Sequence, residues 1–385
     1  MAILKITIEQ FIQQAGKYPV LDVRSPGEYS HAHFPGAHNL PLFSDEERKV
    51  VGTIYKKEGK PQAIKAGLAY FGPKMVAMVE AAERIAKESP IAASPPRSVI
   101  VHCWRGGMRS AGISWLLDLY GFEVYTLAGG YKAFRRWCGQ QFAKPYPFSV
   151  LGGYTGSGKT GILRELKALG KSVLDLESLA SHKGSAFGHL GEPPQPTQEM
   201  FENRLALALA DLAHSTTHEA DSTTDARLMD QADPIWLEDE SQRIGSVNIP
   251  TDLFRHIQTR PVYFLDIPFE KRLDHIVRGY GHFEKSKLAE AITRLQKRLG
   301  GQKTRTALDY LEEGNLPGCF SILLEYYDKY YLKGLSQKQS FPAQESNHGT
   351  QAPSSQSQAH STPQVQKIPC TCTDAATNTA ILLRQ

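Results

Sequence analysis

Eight residues, Gly153-Tyr-Thr-Gly-Ser-Gly-Lys-Thr160, constrain this chain more than any others. They fit GxxxxGK[ST], a loop whose backbone N–H groups wrap a phosphate. The pattern has that meaning only between a strand and a helix. The apolar run Phe148–Leu151 supplies the strand and Gly161–Leu169 the helix. In such a loop Gly153, Gly156 and Gly158 allow the turn and a close backbone approach. Lys159 adds a mobile positive charge, and the Thr160 hydroxyl is suited to ligate Mg2+. The segment therefore predicts an α/β unit with a diphosphate-sized anion site. A carboxylate that holds Mg2+ directly or through water is sought at nearby strand ends. Asp175 and Glu177 follow the strand-like Ser172–Leu176, Asp266 ends the run from Val262, and Glu238-Asp-Glu240 ends the run Ile235–Leu237. Asp175 with Glu238 or Asp239 is the preferred set; the alternative for each acid is a solvated strand end.

A second loop of the same build lies upstream. Ser98–His102 reads as a strand, Ala111–Leu119 as a helix, and Cys103-Trp-Arg-Gly-Gly-Met-Arg-Ser110 joins them. Loop N–H groups, the helix N-terminus and the charges of Arg105 and Arg109 all favour thiolate over thiol. Cys103 is thus predicted to have a depressed pKa and to act as a covalent nucleophile towards a sulfur or selenium atom, or towards a phosphoryl group. Val20–Val23 and Glu123–Leu127 are further strands, and Met75–Glu88 is helical. That alternation predicts a parallel sheet with helices on its faces. The remaining cysteines read differently. Cys138 and Cys319 sit among apolar neighbours, as packing residues do, and Cys370-Thr-Cys372 is a weak metal signal in a polar tail. An odd, scattered set of five cysteines is no disulfide framework and suits a reducing compartment.

At 385 residues two domains with extras are expected. The first spans 1–140, and Lys144-Pro-Tyr-Pro147 marks the junction. The second spans 147–335 and turns helical after Phe269. Residues 214–233 read as a flexible insertion and 336–385 as a disordered tail, because their polar composition buries too little apolar surface. Lys285–Arg305 holds seven Lys or Arg and one acid; Leu288, Ile292, Leu295 and Leu299 share one helical face, with Lys287, Arg294, Lys297 and Arg298 largely on another. Such a strip either tracks an RNA backbone or is an ordinary solvated face. The formal charge of +4 permits a polyanionic partner without demanding one. The N-terminus lacks a signal-peptide pattern, and no run reaches the roughly 18 apolar residues of a membrane span. A soluble cytoplasmic protein with no membrane association is expected.

Several stretches resemble known families. Leu21-Asp-Val-Arg-Ser-Pro-Gly-Glu-Tyr29 with His33-Phe-Pro-Gly-Ala37 resembles the start of a rhodanese domain, and Leu127-Ala-Gly-Gly-Tyr131 its end. The loop departs from ordinary sulfurtransferases: Arg109 lies six positions after Cys103, one further than usual. His102-Cys103-x5-Arg109 thereby also matches cysteine phosphatases of the same fold. A rhodanese-like half followed at once by a P-loop half resembles the tRNA 2-selenouridine synthase family. Asn39–Arg48, Val51–Lys56, Glu238-Asp-Glu-Ser-Gln-Arg-Ile-Gly245 and Leu295–Gly301 look like further features of that family.

The resemblance implies an α/β protein: an N-terminal rhodanese-like parallel-sheet domain followed by a P-loop NTPase-like α/β domain with a helical C-terminal part. It implies a partner, tRNA carrying 2-thiouridine at the wobble position, and two co-substrates, geranyl diphosphate and selenophosphate, the latter drawn from a selenophosphate supplier. The sulfur would first be geranylated and then replaced by selenium. Cys103 would carry selenium as a seleno-persulfide, Arg105 and Arg109 would hold the phosphate of selenophosphate, and Lys159 would clamp the departing diphosphate, with Mg2+ as a candidate counter-ion. The residues alone leave three other readings open: a phosphotransferase with a regulatory cysteine domain, a cysteine phosphatase, and a non-catalytic RNA-binding module.

Overall fold

Short, mostly apolar strands build two separate parallel sheets in a computed structural model that describes residues 3–89, 97–216, 233–338 and 364–384. The chain divides into two compact units, Met1–Gln141 with Thr197–Leu207, and Phe142–Pro196 with Ala208–Gln385. The first boundary falls close to the expected 140. The grouping of 197–207 with the first unit was not expected.

Among the described residues the first unit holds β1 (Leu4–Ile6), β2 (Val20–Asp22), β3 (His38–Asn39), β4 (Ser98–His102) and β5 (Glu123–Leu127), in the order β1-β5-β4-β2-β3. Every pairing is parallel. β4 lies at the centre and is buried along its whole length, which suits its Val-Ile-Val sequence. Its core partners include Leu21, Val23, Ile113, Leu117, Phe122 and Val124. Helices Met75–Glu88 and Met108–Tyr120 contain the expected ones.

The second unit's main sheet comprises β6 (Phe148–Gly153), β7 (Val173–Leu174), β8 (Ile235–Glu238), β11 (Val262–Asp266) and β12 (Val365–Pro369), in the order β12-β11-β6-β8-β7. Its pairings too are all parallel. A small antiparallel ribbon, β9 (Arg243–Ile244) with β10 (Val247–Asn248), lies between β8 and β11 in sequence. β6 is central and fully buried. In an open parallel sheet, ligands bind beyond the carboxyl ends of central strands. Cys103 follows β4 and the P-loop follows β6, so each sheet presents one loop at that position.

Two expectations are corrected. The tail is not wholly disordered. Residues 339–363 lie outside the described part, but β12 pairs along all of β11, and helix Ala375–Leu382 follows. Ile368 and Leu382 are buried in one cluster with Leu151, Leu265 and Ile267. Five residues with one buried face suffice for an edge strand, even inside a polar segment. The basic segment, read as one amphipathic helix, is three: Lys285–Arg294, Gln296–Leu299 and Gly301–Glu312. Its leucine face is buried as expected, in a cluster with Ala307, Leu311, Phe320 and Leu323. Of the expected insertion at 214–233, helix Gln198–Thr216 covers the start, and 217–232 lie outside the described residues.

Ile368→Ala removes a fully buried side chain from β12. It should cost about 2–4 kcal/mol, read as a lowered urea midpoint of the second unit's unfolding. An unchanged midpoint would show that β12 adds nothing to that unit.

Candidate active site

The cysteine loop is shaped by what surrounds it. Gly130 has φ +60°, and a Cβ there would lie 2.3 Å from the Cys103 carbonyl oxygen. Only glycine fits so close an approach. The next two backbone N–H groups, of Tyr131 and Lys132, donate to the carbonyls of Cys103 (2.9 Å) and Trp104 (3.0 Å). The Gly-Gly-Tyr motif therefore splints the loop. Beneath it, buried Arg24 pairs with buried Asp22 at 2.6 Å and donates to the Ala32 carbonyl at 2.7 Å. Its guanidinium lies 3.8 Å from the centroid of the Tyr131 ring. The Tyr131 hydroxyl in turn meets Asn203 at 2.7 Å and Glu199 at 2.9 Å. These two residues explain why 197–207 belongs to the first unit.

Cys103 is buried. Its Sγ lies 3.2 Å from the Ser110 hydroxyl and accepts the Gly107 N–H at 3.3 Å. Burial pushes the thiol pKa up, but hydrogen bonds from the Ser110 side chain and from the N–H groups of Ser110, Arg105 and Gly107 outweigh it, and the net shift is downward. The depressed pKa is as expected; its cause is not. Arg105 acts through its backbone and exposes its side chain to solvent. Arg109 turns to Glu28, with Nη1 2.6 Å from Oε2. By contrast, burial pushes the thiols of Cys138 and Cys319 up to about 12 and about 11, as befits packing residues.

Glu28 anchors the rim. Besides Arg109 it forms an ion pair with Arg48 (Nε at 3.0 Å) and accepts the Ser25 N–H (3.1 Å). Burial opposes ionisation, yet these partners, Arg109 first, hold its pKa down at about 2. A cleft of about 570 Å3 opens here, lined by Arg24, Arg48, Arg109, Glu28, His31 and Trp104 among others. Its lining sets three arginines, Arg24, Arg48 and Arg109, against three acids, Glu28, Asp45 and Glu199, with Trp104 beside them. Sequence reasoning missed Ser110 and Glu28. Ser110 directly follows Arg109 and was open to notice; Glu28 lies 81 residues from Arg109, and only the fold joins them.

In the P-loop, Gly156 has φ +82°, and a Cβ there would lie 2.8 Å from Ile276 and 2.9 Å from the Arg272 carbonyl oxygen. Gly153 and Gly158 also have positive φ. Lys159 Nζ donates to the Gly153 carbonyl at 3.0 Å, and the Thr160 hydroxyl to Glu177 at 2.9 Å. Arg272 binds the Thr155 carbonyl (3.2 Å), pairs with Asp328 (2.7 Å) and sits over the Tyr154 ring. Tyr331 donates to Asp239 at 2.6 Å and accepts the Gly153 N–H at 3.3 Å.

The proposed carboxylates therefore divide. Asp175 caps helix Leu176–Ala180 by accepting from the Ser178 N–H at 2.8 Å, and Asp239 is taken by Tyr331. Glu238 is buried, and neither of its oxygens has a hydrogen-bond partner. Burial, then repulsion from Asp175 and Glu177, raises its pKa well above the carboxylate range. Burial also raises Glu177, against Lys159 and Thr160, and burial with repulsion from Glu177 raises Glu240. Several acids thus crowd one lysine. Among the described residues no group of three or more His, Cys, Asp or Glu is placed to hold a metal ion, and no helix is long and apolar enough to cross a membrane.

Comparisons with known proteins address both halves. The rhodanese-like domain model matches residues 7–136, and the tRNA 2-selenouridine synthase AAA domain model matches 146–360. Proteins named tRNA 2-selenouridine synthase from Sulfurovum sp. (strain NBC37-1) and Hydrogenovibrio crunogenus are 35% and 34% identical, the matches covering 81% and 83% of this chain and 87% and 90% of theirs. The chain belongs to the tRNA 2-selenouridine synthase family. Another relative of that name, from Pseudomonas putida, is 33% identical, with 81% and 88% covered. One solved structure, the N-terminal domain of a putative ATP/GTP binding protein from Clostridium difficile 630, shares 38% identity, covering 35% of this chain and 97% of its own, at a TM-score of 0.31. In this member of the synthase family, β12 and the helix after it lie beyond the matched 146–360 span.

Two outcomes follow from the cysteine domain. Alkylation of Cys103 by iodoacetamide should have a pH midpoint below the ~8.5 of free cysteine. Ser110→Ala should raise it by about one to two units, since a hydrogen bond to a charged group is worth about 1.5–3 kcal/mol; a midpoint that stays put would remove Ser110 from the account. Glu28 has a folded-state pKa below its ordinary 4.5. Its contribution is therefore present above about pH 4.5 and lost as pH falls towards 2. Glu28→Gln should cost about 1–3 kcal/mol at pH 7 and nothing near pH 2, as measured by urea titration at both pH values.

Proposed function

We propose that this chain replaces the sulfur of 2-thiouridine at the tRNA wobble position with selenium, by way of an S-geranyl intermediate. In the first step the thiocarbonyl sulfur attacks C1 of geranyl diphosphate. The carbon–oxygen bond to diphosphate breaks, and N3 of the base loses its proton. The alkylated sulfur is now a good leaving group. In the second step a selenium nucleophile attacks C2, and geranylthiolate leaves with the electrons of the carbon–sulfur bond. Selenophosphate is the source of that selenium.

The residues suit these roles. The P-loop N–H groups and Lys159 receive the charge that develops on departing diphosphate, which an anion cradle stabilises. Mg2+ usually keeps water and phosphate oxygens in its shell. The Thr160 hydroxyl and the unpartnered carboxylate of Glu238 fit it there, and it would offset the negative charge that diphosphate brings into this acidic site. The Cys103 thiolate attacks the phosphorus of selenophosphate, the P–Se bond breaks, and the selenide released is the nucleophile that attacks C2. Water then cleaves the S-phosphocysteine to phosphate, so the sequence needs neither oxidant nor reductant. Arg48 and Arg109, at the rim of the cleft, suit the phosphate of the donor.

The observation that carries this reading is the Cys103 thiol, held ionisable by Ser110 and three loop N–H groups, in a chain of this family. The test is mass spectrometry of nucleosides after incubating 2-thiouridine tRNA with protein, geranyl diphosphate and selenophosphate. Wild-type protein should yield 2-selenouridine. Cys103→Ala should stop at the geranylated base, and Lys159→Ala should lower geranylation by at least about tenfold, the cost of roughly 1.4 kcal/mol at the transition state. Selenium incorporation by Cys103→Ala at the wild-type rate would sink the reading.

A further inference from the structure

Charge is distributed very unevenly along this chain. Residues 285–305 hold seven Lys or Arg and one acid, a net +6, whereas the rest carries 37 Lys or Arg against 39 Asp or Glu, a net −2. The fold turns that local excess outward. Leu288, Ile292, Leu295 and Leu299 are buried against the other helices of their cluster, and all seven cations are exposed.

Four of the seven have partners. Lys287 pairs with Glu284 (3.7 Å), Arg294 with Glu290 (2.5 Å) and Lys303 with Glu325 (3.8 Å), while Lys285 donates to the Glu312 carbonyl (2.9 Å). These are surface contacts, and exposed pairs hold their charges loosely. The side chains of Lys297, Arg298 and Arg305 have no ion pair or hydrogen bond among the described residues. They flank the turn at Gly300–Gly301, where a Cβ at either glycine would meet nothing within 4 Å. The turn is thus open to a bulky anion, and it leads into the twelve-residue helix Gly301–Glu312, whose N-terminus carries no side-chain cap.

We propose that this face, centred on Lys297, Arg298 and Arg305, is where the chain binds the phosphate backbone of its tRNA. The inference rests on tRNA being the substrate and adds where it docks. A polyphosphate backbone is bound through release of its condensed counterions. That requires several unneutralised cations at close spacing and little else. An anionic membrane would be the other polyanion, but interfacial binding also needs apolar side chains to insert. No large apolar side chain between residues 281 and 315 is exposed.

The test uses the full chain and tRNA carrying 2-thiouridine, with affinity measured by fluorescence anisotropy between about 50 and about 200 mM salt. The triple variant Lys297→Gln, Arg298→Gln, Arg305→Gln should reduce the slope of log affinity against log salt by about three, one per cation removed. It should weaken binding on the order of 100-fold at about 150 mM. A variant with the same change in net charge at another surface, Lys56→Gln, Lys57→Gln, Lys60→Gln, should keep the wild-type slope. All six side chains are exposed, and circular dichroism confirms that each variant is folded. A triple variant that keeps the wild-type slope overturns the assignment, and so does equal weakening by the control, which would reduce the effect to net charge. Binding of wild-type protein to phosphatidylserine vesicles that the triple variant abolishes, with tRNA affinity unchanged, assigns the face to membranes. Wild-type protein that binds no tRNA at all overturns the tRNA reading as well.

Discussion

A parallel strand that ends in the middle of a sheet delivers the next residues into a crevice between flanking helices, and both reactive loops of this chain depend on that placement. β4 and β6 are central, apolar and buried throughout. Burial on both faces pins their register, so the residues at the end of each strand cannot slip to another depth. Cys103 and Gly153 are therefore set by the cores of their own units. Local chemistry then acts on groups already fixed: Ser110 and the loop N–H groups on the sulfur, and Lys159 and Tyr331 on the phosphate loop.

The two sites use opposite electrostatic designs. Around Cys103 an acid, Glu28, is strongly ionised and spends its charge restraining arginines at the rim. Around Lys159 the acids are buried and resist ionisation. The first arrangement holds paired, ionised groups at fixed positions beside the thiol. The second leaves carboxylates with charge still to be settled by whatever binds, a proton or a cation. Each suits its proposed ligand: a chalcogen donor that must be placed, and a diphosphate that must be accepted and then released.

Sequence reading captured whatever is written locally. β4 appears in full because its apolar residues are contiguous, β5 because β-formers fill it, and the P-loop because its spacing is rigid. Cys103 was found with its pKa direction but with the wrong agents, since the nearest charges in sequence, Arg105 and Arg109, point elsewhere in space. Asp175 was a reasonable metal candidate until a cap claimed it. Contacts such as Tyr331 with Asp239, 92 residues apart, leave no trace in spacing. β12 was lost because averaging over a Gln-, Ser- and Thr-rich stretch hides five residues of which only Ile368 is buried. The break of the basic helix at Gly300 was legible in the two adjacent glycines, but the leucine periodicity outweighed them.

The excursion of residues 197–207 into the first unit has a practical consequence for anyone dissecting the protein. A gene fragment cut at the proline-rich junction would omit Glu199, Glu202 and Asn203. Arg135, which reaches all three, would then be left without them, as would the hydroxyl of Tyr131. Tyr131 also roofs the buried arginine under the cysteine loop, so an isolated cysteine domain would lose part of the scaffold of that loop. The modular boundary seen in the gene is not the boundary at which the cysteine half can be cleanly excised.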